Sequence, residues 1–220
     1  MEEETYSSFM NFIRADRENA WFCIDKQVNK NGEYFHLWEY TGDDIQSAFP
    51  IVKCEGILHC SLEKVYEIMM FADLKTRQKW DTSLIKCEIV KTVSPTNHIM
   101  HFAYKTPFPI KNRDFCVQRF SNKEKISTHG KNHRYRYILV GVSIVDDEII
   151  PVSSKYTRGE ILISGYLIEE QTENTCKIVS INHVDPRGSI PKMVINSTKT
   201  RLFQNLIKFS HVVQKIARDC

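Results

Sequence analysis

Between Leu84 and Asp185 the sequence keeps the period of a strand, and only after Pro191 does it change for good to the period of a helix. Segments at roughly 84–93, 98–105, 112–120, 134–144, 159–170 and 175–185 read as strands. They are parted by turn residues at Ser94-Pro95, Pro107 to Pro109, Ser127 to Asn132, Asp146 to Ser154 and Glu173-Asn174. From Pro191, a favoured first helical residue, to about Arg218, Ile195, Leu202, Leu206, Phe209, Val213 and Ile216 recur every three or four positions. Arg201, Lys208, Lys215 and Arg218 lie roughly opposite that stripe. Strands without intervening helices require an antiparallel sheet and an α+β class. A sheet that large cannot be covered by one long helix if it stays flat. A strongly curved sheet gripping the terminal helix solves the problem, and the space between them can become a cavity.

The first third of the chain adds to the same plan. Residues 5–19, with Phe9, Phe12 and Ile13, read as a short amphipathic helix. Trp21 to Val28 and Tyr34 to Tyr40 alternate around a hairpin signal, Asn29-Lys-Asn-Gly32, and Ile51 to Cys60 is a third strand. Ser61 is a good N-cap for a helix carrying Leu62, Val65, Tyr66, Met69 and Met70 that ends near Phe71, and Asp73 to Asp81 forms a short helix or turn. The expected total is about nine strands in a single domain spanning 1–220, since no repeat or low-complexity linker interrupts the chain. A net charge of +3 gives no nucleic-acid footprint. The seven cysteines show no Cys-x-x-Cys spacing, which suits free thiols in a reducing compartment. The acidic start, Met1-Glu-Glu-Glu, is no signal peptide and no apolar run is long enough for a membrane span, so a cytoplasmic protein is expected.

The stretch from Phe102 to Phe120 is where chemistry concentrates. Proline cannot donate a ladder hydrogen bond, so the Pro107-Phe-Pro109 corner must join two strands. Strand parity puts Arg113 on the same face as Phe115, inward, where a lone charge is costly; a carboxylate partner, forming a structural ion pair, is expected for it. Rings beside a fixed cation suit a zwitterionic ligand. His98 and His101 are three apart on a strand and cannot share a metal, and no Gly-x-Ser-x-Gly elbow, phosphate-cradling glycine loop or His-Glu-x-x-His is present. No metal, no cofactor and no catalytic residue is therefore expected, and the chain is not read as an enzyme.

Four motifs in order, Arg77-Gln-Lys-Trp80-Asp81, Tyr104-Lys-Thr-Pro-Phe-Pro109, Asn112-Arg-Asp-Phe115 and Pro186-Arg-Gly-Ser-Ile-Pro191 ahead of a long helix, resemble a START (StAR-related lipid-transfer) domain over essentially the whole chain. The pattern is most similar to the phosphatidylcholine transfer protein branch. The resemblance implies a helix-grip fold with an internal lipid cavity. It implies that Arg77 holds the lipid phosphate, for which a planar guanidinium is suited; a solvated arginine at a helix end is the alternative. It places Asp81 near the quaternary amine and Phe102, Phe115 and Tyr166 around it, since ring faces recognise a trimethylammonium group. Phe71 falls where the family has a ring near the phosphate. Phenylalanines at 102 and 115, where relatives carry tryptophan and tyrosine, and Ile168 in place of a polar side chain make the pocket greasier. Ile149, Ile150 and Val152 correspond to a lid over the cavity mouth that touches the bilayer, with Lys155 and Arg158 nearby. The implied function is a monomeric carrier that moves one phospholipid, phosphatidylcholine, between membranes while touching their surfaces transiently. A broad-specificity carrier (phosphatidylinositol, sphingomyelin, phosphatidylethanolamine) and a lipid sensor or scaffold without transfer are the alternatives.

Overall fold

The computed structural model of the chain describes residues 1–15, 20–29, 32–45, 47–126 and 133–218. A single ten-stranded sheet, antiparallel except for one short pair, dominates it. Helix α1 (Glu2–Arg14) opens the chain, followed by β1 (Trp21–Val28), β2 (Tyr34–Tyr40) and β3 (Ile51–Leu58). Helices α2 (Leu62–Phe71) and α3 (Leu74–Arg77) come next, then β4 (Leu84–Ser94), β5 (Asn97–Tyr104), β6 (Arg113–Ile126) and β7 (Arg134–Ser143). A two-residue β8 (Thr157–Arg158), then β9 (Glu160–Thr172), β10 (Thr175–Asp185) and the 27-residue α4 (Lys192–Arg218) complete it. The strands lie in the order β1-β2-β3-β10-β9-β7-β6-β5-β4, with β8 parallel to β6. β1 and β4 end the order, so the sheet is open.

The expected elements are present, with three differences. α1 begins at Glu2 rather than at residue 5: Glu2, Glu3 and Glu4 in its first turn and Arg14 in its last complement the helix dipole. β6 runs on to Ile126, pairing Ser121–Ile126 with β7 beyond the end of the apolar pattern. There Asn122, Lys123, Glu124 and Lys125 keep strand geometry with no hydrophobic alternation to announce it. β8 is too short to leave a periodic signal. The hairpin turn and the Ser127 to Asn132 turn fall partly or wholly outside the described residues.

Each face of the sheet carries its own core. On the outer face, Phe9 and Phe12 of α1 bury against Phe120, Ile138, Val140 and Ile181. On the inner face, α2 and α4 pack Val65, Met69, Phe203, Leu206, Phe209 and Val213 against Phe35, Leu139 and Ile178. Phe35 can lie flat there only because Gly56 has no side chain; a Cβ would run into its ring. Full burial of a side chain such as Phe203 or Val213 stabilises by about 1.5–3 kcal/mol. The amphipathic stripe of α4 behaves differently along its length. Its C-terminal half is packed, whereas Ile195 and Leu202 in the N-terminal half face an open cavity.

Candidate functional site

That cavity, about 310 Å³, lies between the inner face of the sheet and α4. Its mouth is formed by Phe49-Pro50, Lys105 to Pro107 and the segment from Pro186 through Ile190 to Val194. Phe108, just past the mouth, is 97% exposed and Met193 79%; the Phe108-Pro109 peptide is cis. The inner end is closed by Met69, Trp80, Leu206 and Phe209. Trp80 meets Phe209 edge-on at 5.0 Å and so ties the loop after α3 to the helix.

Asp81, Phe115 and Tyr166 line this cavity, and Asp81 is its sole carboxylate among the described residues. Asp81 accepts hydrogen bonds from the Ser83 backbone N–H at 3.0 Å and from Ser83 Oγ at 2.5 Å, which fix its orientation. Phe115 owes its place to Gly159, where any Cβ would strike the ring. Tyr104, which sequence reasoning did not single out, joins them: its ring meets Phe115 edge-on at 5.9 Å and stacks on Phe102 at 6.4 Å. It could have been found by parity, because Tyr104 lies directly opposite Arg113 in the β5–β6 register. Burial foremost, then Asp81, pushes the Tyr104 phenol far up. Burial also raises Tyr166 to about 12, with Asp81 adding to it and the charge of Arg77 opposing it. Both phenols are therefore neutral donors at physiological pH.

Phe102 and Phe71 do not line the cavity. Phe102 lies one layer back, packed with Met100, Val117 and Tyr104. Phe71, at the C-terminus of α2, is 60% exposed and points away from the sheet's core. Arg77 also stands outside the lining. Its Nε donates to Ala72 O at 2.9 Å and its Nη2 to Met69 O at 2.6 Å and, at longer range, Met70 O at 3.4 Å, so it caps the C-terminus of α2. None of these bonds uses Nη1. The charge of Arg77 is close enough to act on Tyr104, Tyr166 and Cys87, all on the inner face.

Two expectations are corrected. Arg113 is buried and inward as parity requires, but its partners are carbonyls: Nε donates to Pro186 O at 3.0 Å, Nη2 to Arg187 O at 2.9 Å, and Nη1 to Lys111 O. The backbone leading into α4 passes close enough to supply these oxygens, and no carboxylate is needed. The ion pair forms one residue on, across the sheet. Asp114 accepts from Arg158 Nε at 3.0 Å and Nη2 at 2.9 Å and pairs with His101 at 3.0 Å. The second correction concerns the lid. Ile150 is buried with Ile99 and Cys116, residues of opposite parity to Phe115, so the loop lies on the outer face. Ile149 packs beside it, Val152 is exposed, and Arg158 Nη2 holds the loop by Ile150 O at 3.2 Å. Ile99 and Cys116 gave the loop a dry surface on the outer face, away from the mouth.

A curved antiparallel sheet closed by a C-terminal helix over an interior cavity defines the helix-grip class of lipid-binding domains. Within it, the chain belongs to the START domain family, whose model matches residues 12–212. It is 26% identical over 146 residues to human START domain-containing protein 10; the match covers 66% of this chain and 46% of that relative, so the chain spans about half the length of the curated relatives it matches. The fold superimposes on human StAR-related lipid transfer protein 5 with a TM-score of 0.79 at 16% identity, covering 97% of this chain and 95% of that one. It superimposes on human STARD10 with a TM-score of 0.76 at 21% identity, covering 96% and 78%. At these identities the superpositions establish the fold. No helix among the described residues is long and apolar enough to cross a membrane.

Proposed function

We propose that this domain carries one phospholipid between membranes, with the acyl chains in the cavity under α4 and the head group at its inner end. The observation that carries the reading is the grouping of one carboxylate, Asp81, with Tyr104, Phe115 and Tyr166 beside the Arg77 charge. Ring faces and a carboxylate suit an ammonium group such as that of phosphatidylcholine, and Nη1 of Arg77 suits the phosphate beside it. Phe71 and Phe102, set off the cavity, leave the cage less complete than a choline-only site needs. That favours the broad-specificity reading as the second choice. Access runs through the mouth, where Phe108 and Met193 offer apolar side chains to a bilayer and Lys105 offers a charge to lipid phosphates. The sheet, α1 and the loop around Ile150 stay fixed, and binding and release require α4 to yield, as gating elements do.

Arg77→Glu places a carboxylate where the phosphate should sit. Vesicle-to-vesicle transfer of fluorescent phosphatidylcholine is expected to fall by at least about 100-fold, with a stability loss of only about 1–2 kcal/mol from the missing α2 cap. Unchanged transfer by a variant with native circular dichroism would remove Arg77 from the site. Stoichiometric lipid uptake without transfer would instead favour a sensor.

A further inference from the structure

β6 carries a second inward-facing arginine that nothing above accounts for. Arg119 shares the face of Arg113, Phe115 and Val117, and in the β5–β6 register it stands directly opposite His98. Its Nε and Nη2 are shut from solvent and have no hydrogen-bond partner, and the Nδ1 of buried His98 has none either. No carboxylate neutralises Arg119 among the described residues. The groups whose charges reach it are Arg77, Cys87, Tyr66 and Tyr166, and no carboxylate is among them. Burial first, then the like charge of Arg77, pulls the Arg119 guanidinium down to about 10. Burying one guanidinium without a counter-charge is costly, and placing a second beside it adds repulsion. Such a pair needs an anion.

A formal charge count of the inner end narrows the choice. Arg77 and Arg119 bring two positive charges and Asp81 one negative. Neither arginine lines the cavity itself, and a phosphatidylcholine head group, net neutral, leaves these three groups around its inner end one positive charge in excess. A head group with a phosphate and no ammonium removes that excess, and the phosphomonoester of a phosphatidate, carrying about −1.5 to −2 at neutral pH, matches the two guanidinium groups charge for charge. Tyr166, a neutral donor that lines the cavity, offers a further hydrogen bond to phosphate oxygens.

We propose that Arg119 and Arg77 form a two-guanidinium seat for the lipid phosphate, and that this seat makes a net-negative phospholipid, of the phosphatidate class, a tighter ligand than phosphatidylcholine. The proposal rests on the phospholipid-carrier reading and specifies the head group that its cavity selects. Guanidinium planes bind phosphate oxygens in pairs, so two of them around one phosphate add geometry as well as charge.

The test incubates the protein with vesicles of equal parts phosphatidylcholine and phosphatidate of identical acyl chains, and reads the bound lipids by native mass spectrometry. Wild-type protein is expected to hold phosphatidate over phosphatidylcholine by about tenfold, equivalent to about 1.4 kcal/mol. Arg119→Met is expected to bring the ratio to parity or below, and Arg119→Lys to recover part of the preference. Equal occupancy in the wild type, or an unchanged ratio in Arg119→Met, overturns the two-guanidinium seat and leaves the carrier reading standing. Failure of the wild type to load either lipid overturns the carrier reading and the seat with it.

Discussion

Arg113 and Arg119 are six residues apart on one face of one strand, and they have opposite fates. Arg113 spends its donors on three backbone carbonyls of the segments beside it. Arg119 has its Nε and Nη2 buried without partners, and a second cation nearby. Arg113 is buried whole and Arg119 only in part, with Nε and Nη2 shut from solvent, so the extent of burial does not mark the arginine poised for a ligand. The disposition of the donors does. Hydrogen bonds to a charged group are worth about 1.5–3 kcal/mol each when made, and a buried charge without them is a standing penalty until something supplies them.

The sharpest way to break this comparison is to remove each charge in turn and watch the sign of the stability change. Arg113→Met strands three carbonyls and loosens the lead into α4; a loss of about 3–5 kcal/mol is expected in the urea unfolding midpoint of the lipid-free protein. Arg119→Met removes an uncompensated charge, and a gain of about 1–3 kcal/mol is expected in the same experiment. Equal losses in both variants would mean that Arg119 is as well bonded as Arg113. The smallest effect is a pH dependence. Burial, then Arg119, holds the His98 pKa below its ordinary 6.5, so the unfolded chain takes up the proton first. The stability from neutral His98 is fully present above about pH 6.5 and is lost as pH falls through the lowered folded value. His98→Gln is expected to flatten the decline in stability between pH 7 and 5 by part of the one-proton limit of about 1.4 kcal/mol per pH unit, and Arg119→Met to flatten it less. His183, also lowered by burial, supplies a slope that both variants retain.

Period and parity carried most of the fold in the sequence, because both are local. The α4 stripe, the antiparallel plan and the inward face of Arg113 could each be read from residues a few positions apart. What could not be read depended on what came to lie opposite. The partner of Arg113 is main chain from some seventy residues away, and carbonyls leave no mark in a sequence. The loop around Ile150 has the composition of a lid, yet Ile99 and Cys116 offered it a dry surface on the far face. At the candidate site, Asp81, Phe115 and Tyr166 were named through the START resemblance alone, which named Phe71 and Phe102, off the cavity, in the same way. Alternation puts Tyr104 and Arg119 on the same inner face, but alternation alone does not say which inward side chains are left without a protein partner.

The hold of Arg113 on the carbonyls of Pro186 and Arg187 also sets the mechanics of α4. Arg187 and Gly188, at φ 51° and 69°, turn the chain sharply into the helix just beyond that anchor. An anchored end is a fulcrum. With 27 residues at about 1.5 Å of rise, the lever is about 40 Å long, and a tilt of about 10° moves its far end by about 7 Å but its first turn by only about 1 Å. A rigid swing of the helix therefore opens the wrong end of the cavity. On the carrier reading proposed above, lipid passage at the mouth needs the first turns, from Lys192 to Ser197, to unwind or slide while the rest holds, and the rate of that local melting sets the rate of exchange.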